Sequence, residues 1–171
     1  MNLRDSSIRW LLLSAAVIAV DQFTKFLAAT HLTLFRPMPL LPGLNLTLMH
    51  NTGASFSFLS GAGGWQRWLL ISLSTVVSVG IVVWMTRLPA RRYLLACALA
   101  LILGGAAGNL WDRVSLGYVI DFIDVYYRHW HWPAFNVADS AISVGAVLLI
   151  VDTLWFDRAQ VIMDRRDVRD G

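Results

Sequence analysis

The sequence predicts an all-α membrane protein with four transmembrane helices. Three observations carry this. The chain is 57% hydrophobic and 15% charged, whereas a soluble domain runs at about 45–50% apolar and about 25% charged. Its apolar residues gather into four runs, at 10–29, 68–85, 93–111 and 137–156. Each run is long enough, at a rise of about 1.5 Å per residue, to cross a bilayer core. Eight Trp residues suit a chain that must anchor at lipid–water interfaces.

The composition also excludes classes of function. A formal charge of +3, carried by dispersed residues, is no nucleic-acid footprint. All eleven acidic residues are Asp, so an H-E-x-x-H metalloprotease is ruled out. The single cysteine, Cys97, cannot form an intramolecular disulfide and reads as a small buried hydrophobe.

Taken in order, the first run follows a short polar segment bearing Arg4 and Arg9. A basic start and an apolar core also describe a cleaved signal peptide. Here Asp21 and Lys25 stand where a small-residue cleavage site belongs, so a retained span is expected. Asp21 and Lys25 are four apart and share a helix face. They make either an ion pair that hides two charges or one wall of a site. In the connection 30–66, Pro37, Pro39 and Pro42 prevent an early helix. Leu44-Asn45-Leu46-Thr47-Leu48 alternates apolar and polar, the period of a half-buried strand. His50 through Ser57 reads as a turn into more extended chain, with Asn51 either turn chemistry or a site residue.

The second and third runs are joined by a tight basic turn, Thr86-Arg87-Leu88-Pro89-Ala90-Arg91-Arg92. The third run ends in Gly104-Gly105-Ala106-Ala107-Gly108. Gly104 and Gly108 are spaced for close helix approach in lipid. The stretch 112–136 then carries Asp112, Asp121 and Asp124. Asp112 beside Arg113 suggests an interfacial salt link. Tyr126, Tyr127, His129, Trp130, His131 and Trp132 suggest an interfacial aromatic belt. His129-x-His131 lacks the accompanying ligands of a metal site, and no Ser is spaced to use Lys25 as a base. The fourth run opens with Asn136-Val137-Ala138-Asp139, where Asn136 suits a helix cap and Asp139 the positive helix end. With no internal repeat and no linker, residues 1–171 read as one domain.

Four spans put both termini and the basic turn on one side, with Arg4, Arg9, Arg87, Arg91, Arg92, Arg158, Arg165, Arg166 and Arg169. The other side has Arg36, Arg67, Arg113 and Arg128. Basic residues concentrate in cytoplasmic loops, so both termini are expected in the cytoplasm. Asn51, Asn109, Arg113, Asp121 and Asp139 then converge at the outer face. Ionisable groups in such a place are functional by default. Two carboxylates brought close share a proton at neutral pH, which supplies a base and an acid side by side. A small proton-coupled transporter is the alternative use of membrane carboxylates, but it lacks the repeated halves common in that class.

Five stretches carry a further signal. They are Asp21-Gln22-Phe23-Thr24-Lys25, Asn51-Thr52-Gly53-Ala54-Ser55-Phe56, Gly104-Gly105-Ala106-Ala107-Gly108-Asn109-Leu110-Trp111-Asp112-Arg113, Val119-Ile120-Asp121-Phe122 and Phe135-Asn136-Val137-Ala138-Asp139-Ser140. In these residues and their order the sequence resembles lipoprotein signal peptidase (signal peptidase II), a bacterial membrane aspartyl protease family. The resemblance implies removal of signal peptides from prolipoproteins whose cysteine carries diacylglyceryl, with cleavage just before that cysteine. It implies Asp121 and Asp139 as the catalytic pair, supported by Asp21, Lys25, Asn51, Gly53, Asn109, Arg113 and Asn136. It also implies a small extracytoplasmic β-structure, inhibition by globomycin, no metal or organic cofactor, and a monomer in the bacterial inner membrane.

Overall fold

The computed structural model describes residues 7–53, 64–89 and 92–167, with side chains as far as 154. Ala54, Ser55, Phe56 and Ser57 lie outside the described residues, as do Arg4, Arg91 and Arg169. The element order begins with a 3-10 turn, Ser7–Trp10, and α1, Leu11–His31. Strands β1, Met38–Leu41, and β2, Leu44–Asn51, follow. Helices α2, Trp65–Arg87, and α3, Tyr93–Ser115, come next, then β3, Val119–Tyr127, β4, Trp130–His131, and α4, Val137–Asp167.

Among the described residues, four helices are long and apolar enough to cross a membrane, at the four places the hydropathy predicts. Their ends differ from the apolar runs. α1, α2 and α3 continue into flanking polar residues, and α4 runs eleven residues past 156. Helical hydrogen bonding does not stop where lipid stops, so hydropathy marks the buried stretch rather than the helix end.

α3 is the central helix and packs against α1, α2 and α4. Its small residues make this feasible. A Cβ on Gly104 would stand 2.7 Å from Val17 Cβ of α1. One on Gly105 would collide with the Ala138 carbonyl of α4. Gly104 thus has the expected packing role, and Gly105 adds the contact with α4. Ser14 Oγ donates to the Ala100 carbonyl at 2.8 Å, a second tie between α1 and α3. α2 leaves most of its surface, including Leu73, Val76, Val79 and Trp84, exposed, as a lipid-facing helix does.

The four strands form one antiparallel sheet in the order β1-β2-β3-β4. It lies where α1 and α3 end and α2 and α4 begin. β2 is the alternating segment read from the sequence. The register of β2 on β3 slips between Leu46 and Met49, which inserts one extra residue into β2. Such a bulge re-aims the side chains beyond it, and here it precedes Asn51. Ala28 of α1 packs with Leu48, Ile120 and Phe122, so an apolar cluster fixes the sheet to the end of the first helix.

Candidate active site

The site is built on a buried cation. Lys25 is 2% exposed, between Asp21 at 0% and Asp112 at 2%. Its Nζ lies 2.8 Å from Asp21 Oδ2 and 2.9 Å from Asp112 Oδ2. It also donates to Asn109 Oδ1 at 2.9 Å. Gln22 Nε2 donates to Asp112 Oδ1 at 2.9 Å. Asp112 also takes the backbone N–H of Ile120, at the start of β3. The alternative of an Asp112–Arg113 salt link is therefore not what forms. Adjacent helical residues point about 100° apart, so Asp112 turns inward to Lys25. Arg113 reaches the carbonyls of Asn109 and Gly53, at 3.3 and 3.2 Å. Gln22 was missed as part of this cluster, and Asp112 as a partner of Lys25. The signal was Asp112 three residues from Asn109, and therefore on its face of α3.

A Cβ on Gly108 would stand 2.6 Å from Asp21 Oδ2, so a glycine is needed to admit that carboxylate. Asp21 Oδ1 accepts the backbone N–H of Ala138 at 2.8 Å. Asp139 N–H donates to Asn136 Oδ1 at 2.9 Å, while Asp139 Oδ2 accepts the Asn136 N–H at 3.3 Å. These reciprocal bonds cap α4. The helix-start reading of Asn136 and Asp139 is correct, and the same residues also join the polar cluster.

Asp121 arrives from the sheet. Expected in the connection before the fourth span, it lies inside a nine-residue strand. Asn51 Nδ2 donates to its Oδ2 at 3.0 Å, and Asn136 Nδ2 donates to its Oδ1 at 2.7 Å. Asn136 thus touches both carboxylates. Asn109 Nδ2 donates to Asp139 Oδ1 at 2.8 Å. Burial and the charge of Asp139 push the Asp121 pKa up to about 7, against the bonds from Asn51 and Asn136 and the charge of Lys25. Asp124, three residues along, belongs to the other face of the strand. It accepts from Asn45 and Thr47 and contacts His131 Nδ1 at 2.7 Å. Burial opposes its charge, but those hydrogen bonds prevail and hold its pKa below the ordinary carboxylate value.

A cavity of about 410 Å³ opens beside these groups. Its polar wall is Asn51, Asn109, Arg113 and Asp139; its apolar wall includes Trp132, Phe135 and Val144. Part of the aromatic stretch 126–132 thus lines the site, while Tyr127 and Trp130 are exposed. Among the described residues no group of His, Cys or Asp is arranged to hold a metal ion.

The family model of signal peptidase II matches residues 13–155. The chain belongs to this family. A lipoprotein signal peptidase of Acinetobacter baumannii is 56% identical over 149 residues, 87% of this chain and 85% of the relative. One from Teredinibacter turnerae is 50% identical over 150 residues, 88% and 89% of the two chains. A solved bacterial membrane enzyme, obtained by the in meso method, superposes with a TM-score of 0.77 at 30% identity, covering 85% of this chain and 87% of its own. The signal peptidase II chain described here is therefore a multi-pass membrane protein, and the transporter alternative is set aside.

Proposed function

We propose that the protein is an aspartic endopeptidase that removes signal peptides from diacylglyceryl-modified prolipoproteins, cutting just before the lipidated cysteine. The observation that carries this reading is the shared residue Asn136, which bonds Asp121 with its side chain and Asp139 with its backbone. Two carboxylates tied through one residue, beside a cavity with an apolar wall, suit hydrolysis of a peptide that bears a lipid.

Asp139 acts as the base and Asp121 as the acid. The positive end of α4 favours charge on Asp139, whereas Asp121 holds its proton up to about pH 7. Asp139 takes a proton from a water whose oxygen attacks the scissile carbonyl carbon, and Asp121 protonates the carbonyl oxygen. The tetrahedral intermediate collapses as the C–N bond breaks and a proton passes to the leaving amine of the cysteine. The two carboxyls share one proton across the cycle and titrate as a pair. Arg113, whose planar fork carries five donors, serves a substrate carbonyl or lipid ester.

The site faces outward from the bacterial inner membrane, with both termini cytoplasmic, because basic residues concentrate on the terminal side. A reporter active only outside the cytoplasm is silent after Gly171 and active within 36–45; a strong signal after Gly171 reverses the orientation. The single domain acts as a monomer in the lipid bilayer and is blocked by a globomycin-type inhibitor. The direct experiment incubates the purified protein in detergent with a diacylglyceryl-modified precursor peptide and with its unmodified form. Cleavage before the lipidated cysteine only is expected. No cleavage of the lipidated peptide, with the fold intact, would refute the reading.

A further inference from the structure

Three amides surround the two carboxylates, and none of them is free to turn over. An amide side chain presents a donor on one side and an acceptor on the other. Its orientation is fixed wherever a group that can only donate faces it. The Gly53 N–H donates to Asn51 Oδ1 at 3.0 Å, so the Asn51 NH₂ must face Asp121. The Asp139 N–H donates to Asn136 Oδ1, so the Asn136 NH₂ must face Asp121. Asn109 differs because no backbone N–H orients it. The donors on its Oδ1 are the Lys25 ammonium at 2.9 Å and the Asn136 NH₂ at 3.2 Å. An ammonium has three donors and no acceptor. Lys25, the nearer of these donors, together with the Asn136 NH₂ therefore dictates that Asn109 offers its NH₂ to Asp139.

We propose that Lys25 is a positioning residue that acts through Asn109, keeping a donor on Asp139 Oδ1 so that this carboxylate is held as the charged base. The proposal rests on the reading of Asp121 and Asp139 as the catalytic pair. Lys25 is too buried to meet substrate. Asp21 and Asp112 hold its ammonium in place, and its hydrogen-bonded link to Asp139 Oδ1 runs through Asn109. Without Lys25, Asn109 Oδ1 keeps only the longer bond from the Asn136 NH₂, a donor it shares with Asp121 and the Ile120 carbonyl, and Asn109 can turn to set its carbonyl oxygen against Asp139. Two acceptors in contact demand a proton between them, so Asp139 becomes protonated and loses its role as base. The charged groups around Asp139 are Lys25 and Asp21 on α1, Asp112 and Arg113 on α3, and Asp121 on β3.

The test is cleavage of the lipidated precursor peptide across pH by Lys25→Met, Lys25→Arg and the double variant Lys25→Met/Asp112→Asn. The double variant removes one positive and one negative charge, so the buried cluster keeps its net charge. With an interaction worth about 1–3 kcal/mol at stake, kcat should fall about 10- to 100-fold in both Met variants. KM should change little. The acid limb of the pH profile should move upward, and Lys25→Arg should recover most of the rate. A kcat and an acid limb unchanged in the folded Met variants would overturn the proposal. So would loss of the fold in both Met variants, which would make Lys25 a stability residue. Asp139→Asn run alongside separates the two levels. If it stays active the catalytic-pair reading itself fails; if it is dead while Lys25→Met is normal, only the role of Lys25 fails.

Discussion

Among the described residues, the carboxylates at the two ends of the helical bundle are not alike. At the sheet end, Asp21, Asp112, Asp121 and Asp139 share Lys25, Asn51, Asn109 and Asn136, and each of their oxygens is partnered. At the opposite end Asp152, 1% exposed, meets Arg92 through Oδ2, while its Oδ1 has no hydrogen-bond partner among the described residues. Burial alone therefore does not distinguish a site. Connectivity does, because a network of oriented amides fixes which oxygens accept and where a proton resides. The Arg92–Asp152 pair joins α4 to the residue preceding α3.

Four expectations sharpen that contrast. The largest effect falls on the shared residue. Asn136→Ala removes the donor on Asp121 Oδ1 and the side-chain acceptor of the Asp139 N–H, and so weakens the cap of α4. Cleavage should drop about 100- to 1,000-fold, in the range of a lost oxyanion-type donor, with a stability loss of about 1–2 kcal/mol from the cap. A variant that lost the stability but kept the rate would make Asn136 a cap only.

Next comes pH. A carboxyl whose folded pKa is raised favours the fold below its unfolded pKa, and that contribution fades as pH rises towards the folded value. Asp121, raised to about 7, should therefore make the wild type lose stability from the ordinary carboxylate range up to about pH 7. Asp121→Asn should flatten this slope. As the acid, Asp121 should also impose a fall in kcat/KM, about tenfold per pH unit, above that value. A profile flat through it would remove Asp121 from the acid role.

Arg113→Lys retains the charge and loses the planar fork. About a tenfold loss of cleavage with the fold intact is expected, and an unchanged rate would reduce Arg113 to an interfacial anchor. The smallest effect belongs to the opposite end. Asp152→Asn should leave cleavage at the wild-type rate and shift thermal stability by about 1 kcal/mol, the scale of one hydrogen bond beside a partly exposed arginine. A large rate loss there would erase the distinction between the two regions.

The bundle was legible because lipid demands long apolar runs, and strand β2 because its side chains alternate. β3 was harder to read. Val119-Ile120-Asp121-Phe122-Ile123 is buried on both faces, so its polar residues do not alternate with a period of two. Its β-branched content was the usable cue. The convergence of Asn51, Asn109, Arg113, Asp121 and Asp139 at one end followed from counting spans. The pairing of Asp112 with Lys25 escaped because the neighbouring Arg113 offers an obvious partner in sequence, whereas helix geometry sends the two apart. Asp121 and Asp124 part in space because the segment is a strand, in which residues three apart leave by opposite faces.

The most direct test of the catalytic pair measures cleavage of one diacylglyceryl-modified precursor peptide by Asp121→Asn, Asp139→Asn, the double variant and Asp124→Asn. Each of the first two should abolish cleavage while membrane insertion is retained. The double variant should be no worse than either, because the two carboxyls act as a unit. Asp124→Asn, altered on the other face of β3, should keep substantial activity. Normal cleavage by Asp139→Asn, or a dead Asp124→Asn beside an active Asp121→Asn, would contradict the account.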